Sequence, residues 1–90
     1  MKINLYLLMM YVVNDIDKMM GDECRQSLLQ SDYNELYLYN SLGLGIWIRE
    51  HILTEESVLV RLFRSNGITH SDDMSMLIVL MLYYYEHAKK

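Results

Sequence analysis

The residues best equipped for chemistry lie in one short run, in which His70, Asp72 and Asp73 fall within four positions. An imidazole and two carboxylates at that spacing could ligate a divalent cation or exchange protons with a substrate. The same run also reads as the start of a helix. Ser71 is a capping residue, and acids in a first turn suit the positive end of the helix dipole. The helical reading is preferred, because a metal site would need further ligands, and only Glu50, His51 and His87 offer themselves.

Arg49 is the second candidate. It follows the bulkiest apolar stretch of the chain, Ile46-Trp47-Ile48. One role is an ion pair with Asp72 or Asp73 that fixes how two helices dock. The other is recognition of a phosphate or carboxylate in a pocket beside Trp47. Cys24 is a third candidate, but no histidine stands near it in sequence, so a half-buried spectator is the preferred reading. A lone cysteine cannot form an intramolecular disulfide, which suits a reducing cytoplasm. No phosphate-binding glycine loop, nucleophile elbow or zinc-ligand spacing is present. The expectation is a protein with no catalytic residue, no metal ligand and no cofactor.

Tyrosine and methionine point elsewhere. There are eight of each in 90 residues, and both are enriched where proteins meet partners. Tyr33, Tyr37, Tyr39, Tyr83, Tyr84 and Tyr85 are too many for one small core. Some apolar surface should remain for a protein partner or for a second copy, with Tyr39 and Tyr84 as contact candidates. The charge balance excludes other classes. Eight basic residues against twelve acidic ones give a net charge of −4. That argues against nucleic acid, which selects a basic stripe.

The elements that must position these residues are all helical in pattern. Ninety residues make one domain, and 52% hydrophobic against 22% charged residues is the composition of a folded globule. Proline, the strongest breaker of helix interiors, is absent. Apolar residues recur at helical spacing in four segments, at about 3–20, 31–51, 55–65 and 72–89. The fold class expected is all-α, a compact bundle of about four helices over residues 1–90. Segment 31–51 is the expected organiser, with Ser31 as its cap and Gly43 and Gly45 allowing close helix approach or a kink. Gly21 should end the first helix, Thr54 should cap the third, and Asn66-Gly67 should close it. Leu77, Ile78, Met81 and Leu82 should form the buried stripe of the last helix. The Ile3–Val13 and Met76–Tyr85 runs fall short of the ~20 residues needed to span a bilayer, so no membrane association is expected.

Two stretches, Gly43-Leu44-Gly45-Ile46-Trp47-Ile48-Arg49-Glu50 and Gly67-Ile68-Thr69-His70-Ser71-Asp72-Asp73-Met74-Ser75, resemble DUF6794, a family of small bacterial and phage proteins of unknown function. Ser57, Leu59 and Phe63 match the intervening segment, so the resemblance covers about residues 41–82. Ser41, Glu50 and Ser71 depart from it, standing where the family usually has histidine, asparagine and proline. The resemblance implies a helical fold and singles out Leu44, Gly45, Trp47, Arg49, His70, Asp72 and Asp73, and it implies no activity. Three functions are weighed. The leading one is a non-catalytic helical module that binds a protein and self-associates. The alternative is a phage or mobile-element inhibitor of bacterial defence, blocking a host protein or sequestering a small nucleotide between Arg49, Trp47 and His70. The least favoured is a metal-assisted hydrolase built on His70, Asp72 and Asp73.

Overall fold

A computed structural model describes residues 4–89, with the side chains of Tyr39, Asn40 and Leu42 outside that description. The chain is all-α, and no strand occurs among the described residues. The helices are α1 (Leu5–Met19), α2 (Asp22–Gln30), α3 (Leu36–Leu42), α4 (Leu44–His51), α5 (Val58–Ser65) and α6 (Ser71–Ala88), with a 3-10 turn at Tyr33–Glu35 before α3. No helix among the described residues is long and apolar enough to cross a membrane.

Asn4 starts α1 by accepting the Leu7 N–H at 2.8 Å, which satisfies one of the orphan amides of a helix start. Met9, Val13 and Ile16 form its buried stripe. The helix stops at Met20, which is extended, and Gly21 is extended too. The helix thus ends before Gly21 as expected, with an extended backbone there. The extended pair turns the chain directly into α2, and the Asp22–Gln30 segment becomes a full helix in its own right. Ser31 closes α2, its hydroxyl donating to the Ser27 carbonyl at 2.8 Å. The cap expected of Ser31 is made by Asp32 instead. Asp32 Oδ1 accepts the Glu35 N–H at 2.9 Å and Glu35 Oε1 accepts the Asp32 N–H at 3.1 Å, a reciprocal capping box.

The long segment expected as one helix is two. It breaks at Gly43, which leaves helical dihedrals at φ −140° and ψ −84°, a departure that glycine makes at least cost. A Cβ there would meet nothing within 4 Å, so Gly43 serves the bend and not a close approach. Gly45 is buried on α4. Ser57 rather than Thr54 caps α5, accepting the Leu59 N–H at 3.1 Å. Residues 54–57 form a turn first, with the Ser57 N–H on the Thr54 carbonyl at 3.0 Å. The later start changes which side of α5 is covered, so Val60 is buried and Val58 is exposed. Gly67, at φ +83°, closes α5 as expected. The Gly67 N–H reaches the Arg64 carbonyl at 3.0 Å and the Ile68 N–H the Phe63 carbonyl at 2.9 Å, the paired bonds of a Schellman ending.

Helix α6 is the hub, because α1, α2, α3 and α4 all pack on it. Its buried stripe is Met74, Ser75, Ile78, Val79, Leu82 and Glu86. The stripe is rotated from the expected one, which leaves Leu77 exposed and Met81 half-buried. Phe63 of α5 is wholly buried in the same core as Val13, Ile16, Ile78 and Leu82. Phe63→Ala should therefore cost about 3–5 kcal/mol through lost transfer energy and an unfilled cavity, measured by urea denaturation of the variant against the parent chain.

Candidate functional site

Arg49 and Asp72 come from the two motif stretches, and the structure brings them together. The Arg49 Nη1 donates to the Ser75 hydroxyl at 2.9 Å and lies 3.6 Å from Asp72 Oδ1. Ser75 is buried and donates its own hydroxyl proton to the Asp72 carbonyl at 3.1 Å. The expected docking of Arg49 on the first turn of α6 is therefore the observed one, with Asp72 as its carboxylate. Tyr37, Ser41, Arg49 and Asp72 line a polar cavity of ≈ 260 Å³ at this junction.

Trp47 does not share that cavity. Two positions along a helix point nearly opposite ways, and Trp47 faces α1 and α2. There it lines an apolar cavity of ≈ 240 Å³ with Met19, Cys24 and Leu44. Its ring stacks on His51 with centroids 4.9 Å apart. His70 is exposed at the capping position of α6, and its side chain makes no capping bond. Asp73 is exposed in the first turn. Trp47, Arg49 and His70 thus do not line one pocket. Tyr39 has its side chain outside the described residues. Among the described residues no group of three histidine, cysteine or acidic side chains is placed to hold a metal ion.

Tyr84 stands on a different face. It is 60% exposed at the edge of an apolar groove of ≈ 550 Å³ between α1 and α6, lined by Tyr6, Met9, Met10, Leu77, Met81 and Tyr84 among others. Leu7 and Tyr11 extend the exposed face along α1. A shallower hollow continues past Met10 to Asn14, which accepts the Tyr85 hydroxyl at 3.0 Å.

A second cluster escaped the sequence reading. Asp17 of α1, Arg25 of α2, and Glu86 and Lys89 at the end of α6 converge beneath the chain's last turn. Arg25 Nε lies 3.2 Å from Asp17 Oδ1 and 3.3 Å from Glu86 Oε2, and its Nη2 donates to the Asp17 carbonyl at 2.7 Å. Lys89 Nζ reaches Asp17 Oδ2 at 2.8 Å and Glu86 Oε2 at 3.7 Å. Glu86 is only 2% exposed, and its Oε1 has no hydrogen-bond partner among the described residues. Burial pushes the Glu86 carboxyl up, and the neighbouring Asp17 charge adds to that. Asp17 moves the other way, to about 2, held down by the hydrogen bond from Glu86 and by Lys89 and Arg25. Burial and the Asp17 charge thus favour the protonated form of Glu86, while the two cations favour the ionised form of Asp17. The signal that could have found the cluster is Glu86 itself, a carboxylate one turn beyond Leu82 on the apolar stripe. The cavities described above are lined by other residues. The cluster's effect is to tie α1, α2 and α6 at one end.

A single all-helical domain, tied by buried polar contacts and carrying an uncovered apolar groove, is the class of protein that fold and site define. Its sequence matches the model of DUF6794, a domain of unknown function, over residues 10–86, and the chain belongs to that family. No curated protein and no solved structure matches it.

The two polar ties make distinct predictions. Arg49→Ala removes a charged donor from a buried hydroxyl and should cost about 1.5–3 kcal/mol. Asp72→Ala should cost less, because an ion pair with so exposed a carboxylate contributes little; equal losses in chemical denaturation would contradict that ordering. In the second cluster the linkage has two signs. The Glu86 contribution is complete below its ordinary value of 4.5 and is lost as pH rises through the raised value. The Asp17 contribution is present above 3.8 and is lost as pH falls towards about 2. Glu86→Gln should therefore flatten the decline of unfolding free energy above pH 4.5 in a series of urea melts, while the acid-side loss remains.

Proposed function

We propose that this protein is a non-catalytic helical module that binds a protein partner through the outer face of α1 and α6. The observation that carries the reading is the ≈ 550 Å³ groove, whose lining is tyrosine, methionine, leucine and alanine with no charged side chain. Contiguous apolar surface of this kind marks interaction sites on small proteins. Tyrosines supply large contact area with a hydroxyl that tolerates water, and methionines adapt to the shape laid against them. The outer face of α3 also exposes Tyr37 and Leu38, but its cavity is smaller and polar, with Arg49 and Asp72 in its wall. The unpaired Cys24 suits a reducing compartment, and we place the module in the cytoplasm.

The test is photo-crosslinking in living cells, with benzoylphenylalanine in place of Tyr84 and, as control, in place of the equally exposed Tyr33. Irradiation should yield defined protein adducts from position 84 and not from position 33. Absence of adducts at 84, or the same adducts from both positions, would remove the reading.

A further inference from the structure

We infer that the occupant of the α1/α6 face is a second copy of this chain, related by a two-fold axis so that the two helix pairs stack into a four-helix layer. The inference rests on the reading of that face as the binding surface and names its partner. Four features of the face support it.

The first is its architecture. Tyr85 meets Asn14 and, about one turn further along each helix, Lys89 meets Asp17. Helices α1 and α6 therefore run side by side in the same sense, presenting a flat two-helix layer with a groove along its seam. A layer of that kind is half of a four-helix arrangement, and an identical layer is the simplest surface that completes it. The second is its relief. Tyr6 and Tyr84 stand out from the face, 62% and 60% exposed, beside the groove that both line. Ridge and groove on one patch are what a two-fold contact requires, since each copy must offer both.

The third is charge. Two copies that each carry −4 repel wherever their acids face each other. Exposed acids crowd α2, α4 and the connections, as at Asp22, Glu23, Asp32, Glu50 and Glu56. Asp72 and Asp73 occupy the first turn of α6, before the groove begins at Leu77. The groove itself holds no charge, and beyond Tyr11 the exposed Asp15 and Lys18 give its rim one charge of each sign. It is the surface on which like copies approach at least electrostatic cost. The fourth is size. The exposed areas of Tyr6, Leu7, Tyr11, Leu77 and Tyr84 amount to roughly 550 Å² per copy, taking roughly 200 Å² for each whole side chain. Two copies would bury roughly 1,100 Å² from these residues alone, past the roughly 1,000 Å² that a biological interface should clear.

The experiment is native mass spectrometry with sedimentation velocity on the purified chain and on Tyr6→Asp and Tyr84→Asp. The parent chain should run at twice its 10.7 kDa mass. Each variant should run at the single mass with an unchanged helical circular-dichroism spectrum, because both tyrosines are exposed and neither supports the core. A monomeric parent chain, or a dimer that survives both substitutions, would overturn the inference. The crosslink from position 84 separates this failure from the broader one. An adduct with another protein would leave the binding face standing and replace its occupant, whereas no adduct at all would remove both.

Discussion

Helix α6 has to be covered before any of its neighbours has a reason to stay folded. Its stripe from Met74 to Glu86 is buried on α1, α2, α3 and α4, and α2 through α5 are each nine residues or shorter. Helices of that length are marginal in water by themselves, so their stability comes from the packed face and not from propensity. The caps at Asn4, Asp32 and Ser57 and the Schellman ending at Gly67 decide where each short helix begins or stops. The apolar stripe of α6 decides whether it forms at all.

Two polar ties fix the orientation that apolar packing leaves loose. At one end Arg49 binds the buried Ser75 hydroxyl and approaches Asp72, setting how α4 crosses the start of α6. At the other, Arg25 and Lys89 flank the carboxyl groups of Asp17 and Glu86. Four ionisable groups at one end of so small a protein are tolerable because the two cations face the two carboxyls and Arg25 also satisfies the Asp17 carbonyl. Both ties draw their polar groups inward. The outer layer of α1 and α6 is left to tyrosine and methionine.

The helical class and the Arg49–Asp72 contact were legible in the residues. Spacing of apolar positions reports on helices directly, and an arginine after Trp47-Ile48 faced only two carboxylates on a nearby helix start. What was not legible was register. Gly43 and Gly45 look alike in sequence, yet one bends the chain and the other is buried, a distinction that depends on what packs opposite. Ser31, Thr54 and Ser71 were all reasonable caps, and in each case the capping position fell to a neighbour, because several polar residues compete within one turn. Leu77 was assigned to the core and Glu86 overlooked for one shared reason. A nearly all-apolar helix has no polar face to show its rotation, so only the partners determine which side is covered. The Asp17–Arg25–Glu86–Lys89 convergence needs contacts 72 positions apart, which no local pattern encodes.

The cluster at the end of α6 has one more effect, on the order in which the domain opens. Terminal helical turns ordinarily fray, exchanging their amide hydrogens with solvent long before the core does. Here the last turn holds Glu86 inside and Lys89 across α1, so unwinding it would draw Glu86 out of the core and take Lys89 away from Asp17. The amides of Tyr85 to Lys89 are thereby placed in the same cooperative unit as those of Val13 to Asp17 and the start of α2. The seam between α1 and α6 is thereby closed at the end where both helices would otherwise loosen.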